Sequence, residues 1–211
     1  MLARAKGGVE LKNFLLFGPA DATEDFRVYE RMLRSSTAAR SLYGGISLGE
    51  LAALRASGAI TTEFVVKFLH ERHLQDVDRE EAIGFAFVPA PEDWRYYEQP
   101  ERMTVSCDYG PVLGGAGRMI PVSGLRSALE SARTEGPADL QVVGRALAHQ
   151  AYHSPLREPG RRRLESLLKR STLDRPAIPV VTSIPGRYTV SSGAEAADAL
   201  VVSETQPAGV P

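Results

Sequence analysis

"YGGISLGELAAL" (residues 43–54) sets one serine between two glycines and then runs directly into a helix-forming stretch. A serine on a tight strand-to-helix turn needs small neighbours, because the backbone is strained and a side chain would clash. Gly45 and Gly49 supply them. Such a turn lifts the hydroxyl of Ser47 out of the core. It also leaves the N–H of Leu48 at a helix N-terminus, where it can stabilise an oxyanion. The same pentapeptide spacing occurs in ordinary glycine-rich turns, so the motif alone leaves a structural turn open beside a nucleophile.

Outward from this point, "SLYGG" leads in, and "GELAALRASG" (49–58) is helical by propensity and ends on Gly58. "TTEFVVKFLHERHLQ" opens a second helix capped by Thr61 or Thr62, with Phe64, Phe68 and Leu69 as its apolar stripe and Arg72 one turn beyond. Upstream, "NFLLF" (13–17) reads as a short buried strand ended by Gly18-Pro19, and residues 24–36 read as a helix. Downstream, strands are expected at 82–88, 102–107, 115–122 and 138–147, with helices at 91–99 and 123–134. That β-α-β-β-α-β order is the ferredoxin-like pattern. It is expected as a small lobe, 81–147, inserted between the two parts of a larger unit, 1–80 and 148–211. A mostly helical stretch from Ser154, a buried strand "IPVVTSI" (178–184), a helix near 193–203 and a frayed "TQPAGVP" complete the chain.

The 211 residues suffice for one sizeable core, or one core with a small lobe. A formal net charge of −1 argues against nucleic acid as the main partner. No apolar run reaches the length of a membrane span, and the apolar patch near the start reads as a strand rather than a signal peptide. The single cysteine, Cys107, allows no internal disulfide, which fits a reducing cytoplasm. Arg161, Arg162, Arg163, Lys169 and Arg170 read as a solvated helix face, with a docking surface for an acidic partner as the alternative.

A serine nucleophile needs a base. The four histidines are His70, His73, His149 and His153. Their spacing does not match the HExxH zinc pattern and no acidic ligand stands nearby, so no metal site is expected. His70, His73 and His149 read as surface or half-buried polar residues. His153 stands apart, in "AYHSPLREP" at the start of a helix.

"GISLGELAALRASGAIT" together with "AYHSPLREP" resembles the malonyl-CoA:acyl-carrier-protein transacylases, the acyltransferase domains of fatty acid and polyketide synthesis. The family elbow G-H-S-x-G-E stands here as Gly45 to Glu50. The catalytic histidine loop, like H-A-F-H-S, is matched by Gln150-Ala151-Tyr152-His153-Ser154, and the carboxylate-binding arginine by Arg72. "VSCDYGP" (105–111) and "RPAIPVVTSIPGR" (175–187) resemble further family stretches. The resemblance covers roughly residues 40 to 205. It implies a hydrolase-like parallel sheet with an inserted ferredoxin-like lobe. It also implies transfer of a malonyl-type group from CoA to the phosphopantetheine thiol of an acyl carrier protein, alone or within a larger synthase. Ser47 is then the nucleophile and His153 the base. Leu48 and Ala20 supply oxyanion N–H groups, and Arg72, Tyr152 and Gln150 bind substrate. Malonyl-CoA is a substrate, and no resident cofactor is implied. Leu48 and Tyr152 side with malonyl over methylmalonyl, since the aromatic ring would crowd an added methyl.

The match departs from the family in several places. Ala20 replaces a glutamine, Ile46 a histidine and Cys107 an asparagine, and Ser203 falls where an amide residue often supports the catalytic histidine. Less chain separates the Phe17 loop from Ser47 than the family places there, which reads as a shortened form. Two other readings therefore stand beside the transferase: a non-catalytic docking domain of a synthase, and a serine hydrolase of acyl thioesters that has no need of Arg72.

Overall fold

The structure is a computed structural model, and it describes residues 2–4, 10–12, 41–74, 80–144, 149–184 and 189–209. The chain divides into two compact units: residues 1–72 with 163–201 and 211, and residues 73–162 with 202–210. The second unit is larger than the expected 81–147. Two local reasons are visible. Gln150 and Ala151 bond to His73, Leu74 and Glu81, and residues 208–209 pair with 107–108.

The first unit holds a four-stranded sheet in the order β1 (Leu2–Arg4), β2 (Glu10–Lys12), β3 (Ser41–Gly44), β10 (Val180–Val181). β1 runs antiparallel to β2, and the other pairs are parallel. Parallel neighbours need crossover connections, and α1 (Leu48–Ala56) begins directly after β3. Gly49 to Leu54 are all buried. The helix stops at Gly58, whose φ of 82° is a left-handed conformation open to glycine. In α2 (Thr62–His73) the cap is Thr61, whose Oγ1 accepts from Phe64 N–H at 3.1 Å, and Phe64 and Phe68 are buried as the stripe predicts. The expected strand at 13–17 and helix at 24–36 lie outside the described residues.

Gly45 shows why the turn before α1 needs glycine. A Cβ there would overlap the carbonyl group and Cα of Gly49. Both sides of that contact are backbone, so neither can swing away. Gly45→Ala is expected to lower stability by roughly 1–3 kcal/mol, the usual cost of overpacking. Urea unfolding measures it, and an unchanged midpoint would show that the turn is looser than this.

The second unit is built on a sheet ordered β5 (Met103–Val105), β8 (Gly117–Leu125), β4 (Glu81–Pro89), β9 (Leu140–Val142), with β7 (Pro111–Val112) also on β8. Every pair is antiparallel. β4 and β8 stay in register from Glu81 opposite Leu125 to Pro89 opposite Gly117. Along β4, Ala82, Gly84, Ala86 and Val88 are buried while the residues between them are partly exposed, the period-two pattern of a sheet with one covered face. Ala82, Ala86 and Val88 share a cluster with Ile120, Val122 and Leu140 and with Leu129 and Ala132 of α3 (Arg126–Glu135).

Three expectations need correction. The helix expected at 91–99 is a short 3-10 turn, Trp94–Tyr97, because Glu98 leaves helical geometry and its carboxylate accepts from Thr104 Oγ1 (2.7 Å) and Val105 N–H (3.3 Å). The helix expected from 123 begins at Arg126, since Ser123 and Gly124 are still on the ladder opposite Thr104 and Met103. The described part of the C-terminal stretch, up to Gly209, is not frayed: β11 (Ala208–Gly209) pairs in parallel with β6 (Cys107–Asp108), and Ala208 N–H donates to Ser106 O at 2.8 Å. α4 (Glu158–Lys169) and α5 (Gly193–Thr205) fall where helices are expected. Arg161 and Arg162 bond to Glu158 within α4, and Lys169 and Arg170 are exposed, but Arg163 departs from the expected solvated face because its Nη2 donates to Glu71 O of α2 at 3.1 Å. No helix among the described residues is long and apolar enough to cross a membrane.

Candidate active site

Ser47 stands between β3 and α1 with φ 57° and ψ −113°. A side chain other than glycine rarely adopts a positive φ. Among the described residues only Ser47, Leu113 and His153 do so without being glycine. Strain of this kind costs on the order of 1–3 kcal/mol and collects at functional positions. Gly49 N–H donates to Ile46 O at 2.9 Å and Glu50 N–H to Ser47 O at 3.0 Å. The N–H of Leu48 opens α1, where no intrahelical acceptor exists.

Arg72, in the last turn of α2, is buried and directs Nη1 to Ser47 Oγ at 3.4 Å. The plain alternative for this arginine is an ion pair with Glu71 or Asp76. Glu71 faces Arg163, 3.8 Å away, and its carbonyl accepts from Arg163 Nη2 at 3.1 Å. Asp76 lies outside the described residues. The Ser47 hydroxyl and the Arg72 guanidinium are thus neighbours.

Glu50 is a residue that sequence reasoning passes over. It lies one turn into α1, is 1% exposed, and accepts from Ser183 Oγ at 3.0 Å through Oε2. Burial pushes its carboxyl up to about 7, against the pull of Ser183, Thr182 and the Arg72 charge. Its signal is present in "GELAAL": a helix segment with no polar face has to bury the one charge it carries. Because the folded protein binds this proton more tightly than the unfolded chain, the contribution of Glu50 to stability is greatest below the ordinary value of 4.5. That contribution falls as pH rises from 4.5 to about 7, by roughly 3 kcal/mol at most. Glu50→Gln should gain on the native chain across that window in urea unfolding. A constant difference between the two would contradict it.

His153 belongs to the second unit and lies in the loop before a 3-10 turn, Pro155–Arg157. Its φ is 58° and it is 7% exposed. Nδ1 is 2.6 Å from Ser203 O. A carbonyl only accepts, so Nδ1 carries the proton and Nε2 has the ring's lone pair. Ser203 lies in the last turn of α5, where carbonyls lack an intrahelical donor and carry the negative end of the helix dipole. The contact is with the main chain, so serine in place of an amide residue at 203 leaves it intact. Ser154 Oγ closes the loop on Ala151 O at 2.6 Å, and Ala151 N–H donates to Glu81 Oε2 at 2.8 Å.

Tyr152 is half-buried, edge-on to the His73 ring with centroids 6.0 Å apart, and beneath the Arg157 guanidinium at 5.8 Å. Gln150 is buried and its amide donates to the carbonyls of His73 (2.8 Å) and Leu74 (3.1 Å). Its amide N–H groups thus bind main chain. Ala20 lies outside the described residues. His70 is exposed, and His73 and His149 are half-buried. Among the described residues no three His, Cys, Asp or Glu side chains gather as a metal site would need. Ser47 and Arg72 are together in the first unit. His153, Tyr152 and Gln150 belong to the second.

Comparison with family models and with curated proteins finds no match. Comparison with solved structures does. The malonyl-CoA:acyl-carrier-protein transacylase of Synechocystis superposes with a TM-score of 0.71 at 14% identity, over 90% of this chain and 65% of that one. The corresponding enzyme of Mycobacterium tuberculosis gives 0.66 at 21% identity, over 89% and 59%. The acyltransferase domain of an iterative polyketide synthase of enediyne biosynthesis gives 0.68 at 20% identity, over 95% and 56%. The chain thus spans less than two thirds of the length of each of these three structures. The likeness first seen in the elbow and the histidine loop extends to the backbone: this chain has the mixed α/β fold of the malonyl-CoA:acyl-carrier-protein transacylases and polyketide synthase acyltransferase domains.

Proposed function

We propose that the chain is an acyltransferase moving a malonyl-type group from CoA to the phosphopantetheine thiol of an acyl carrier protein. The observation that carries this reading is the pairing of Arg72 Nη1 with Ser47 Oγ at 3.4 Å, on a residue held at φ 57°. In the first half-reaction Ser47 Oγ attacks the thioester carbonyl and His153 Nε2 takes the hydroxyl proton. The tetrahedral oxyanion is held by the N–H of Leu48, with that of Ala20 as the second donor, and collapses to acyl-serine as the CoA thiolate leaves with that proton. In the second, the carrier thiol gives its proton to His153 and attacks the ester, and Ser47 regains its proton as the acyl thioester departs. No resident cofactor takes part. We read the first unit as hydrolase-like. We read the second as ferredoxin-like, from its strand order β9-β4-β8-β5, with the 94–97 turn replacing that pattern's first helix.

Arg72 distinguishes this reading from its rivals. Its planar guanidinium can make two charge-assisted hydrogen bonds to the free carboxylate of a malonyl group. Removing one partner of such a pair costs roughly 2–5 kcal/mol. Arg72→Ala should therefore cut malonyl transfer by about 30-fold to several thousandfold, while acetyl transfer, which uses no carboxylate, holds steady or rises. Rates with malonyl-CoA and acetyl-CoA on one carrier protein test it. Equal loss with both would make Arg72 a structural residue. A thioester hydrolase would lose little with either, and a docking domain would show no rate with the native chain.

A further inference from the structure

His153 is held in a left-handed conformation that its side chain does not favour, so something nearby has to hold it. Four residues on, Arg157 Nε donates to Glu204 Oε1 at 2.8 Å. The two side chains are 3% and 1% exposed. Glu204 follows Ser203, whose carbonyl receives His153 Nδ1–H. The histidine loop and the last turn of α5 are therefore tied twice within a few residues. Gly160 of α4 leaves room for the pair: a Cβ there would fall 2.9 Å from Arg157 Cζ and 3.2 Å from Glu204 Oε1. Fully buried ion pairs rarely out-stabilise apolar side chains of similar size, because both charges lose their hydration. Their best-attested use is to fix registry.

We propose that Arg157 and Glu204 are positioning residues for His153: their buried pair locks the last turn of α5 onto the histidine loop, so that Ser203 O holds the ring in its Nδ1–H form. The proposal rests on the reading of His153 as the base, and its test has a readout independent of that reading. Long-range proton–nitrogen correlation spectra of the full chain, taken above the histidine titration range, distinguish the two neutral forms of the His153 ring. The native chain should show the Nδ1–H form alone. The double variant Arg157→Leu with Glu204→Leu leaves no unpaired charge, so it should unfold near the native urea midpoint yet show both ring forms. Its acylation kcat should fall about tenfold with KM unchanged, the scale seen when a group behind a functional histidine is lost. Arg157→Lys, which keeps the charge pair, should return the spectrum toward the native one. A double variant that keeps the Nδ1–H form alone would overturn the proposal, as would Arg157→Lys being as mixed as the double. If the double variant does not fold, Glu204→Gln decides by the same spectrum: mixed forms support the proposal and a single form overturns it. A native chain that never acylates removes the catalytic role of His153 and leaves the spectral outcome to judge the pair.

Discussion

Ser47→Ala should yield a folded protein that takes up no acyl group from malonyl-CoA. The change removes only Oγ, so the Cβ that fits the elbow remains and the strain at φ 57° is unaltered. It deletes the acceptor of the long hydrogen bond from Arg72 Nη1, at 3.4 Å. Stability should stay within about 1 kcal/mol of the native chain. The acylation rate should fall by about a millionfold, the scale for deleting a serine nucleophile, and so pass below detection. Time-resolved mass measurement of the variant gives the rate, and circular dichroism gives the fold. A variant that is still acylated would move the nucleophile elsewhere.

His153→Ala should lower acylation by about a hundredfold to ten-thousandfold, the range for losing a general base. The geometry explains why this residue and not its neighbours. His153 has its Nδ1 proton committed to Ser203 O, which leaves the lone pair on Nε2. His149 sits instead beside the His73 ring, with centroids 6.0 Å apart. The loss should appear in both half-reactions, because the same nitrogen accepts the serine proton and then the thiol proton. Single-turnover acylation and transfer from a preformed acyl-enzyme measure the two separately. An unchanged rate in the first would sink the assignment, and His149→Ala would be the next variant to make.

The parts legible in the sequence are those whose cause is local. Gly45 and Gly49 announce a close backbone approach, and the structure shows that a Cβ on Gly45 would strike Gly49. Thr61 and Gly58 mark a helix start and a helix stop through caps that involve only a few residues. The alternation along β4 reports a one-sided sheet. What the sequence hides depends on partners far apart in the chain. Glu50 and Ser183 are 133 residues apart, and Arg157 and Glu204 are 47 apart. Neither pairing leaves a periodic trace. Glu98 ends the expected helix at 91–99 through a bond to Thr104 that helix propensity does not describe. The C-terminal strand reads as frayed because its two residues gain order only from pairing with Cys107 and Asp108. Gln150 looks like a substrate contact by its place beside the histidine, yet its amide donates to main-chain carbonyls at His73 and Leu74.

The most direct test of the central claim is the intact mass of the native chain after mixing with malonyl-CoA, followed by peptide mapping of any adduct. The account predicts a mass increase of one malonyl group, located on Ser47 and discharged by an acyl carrier protein bearing its phosphopantetheine arm. Release of free CoA with no adduct would indicate a hydrolase. An unchanged mass with no CoA released would contradict the account and leave a docking domain with the fold of an acyltransferase.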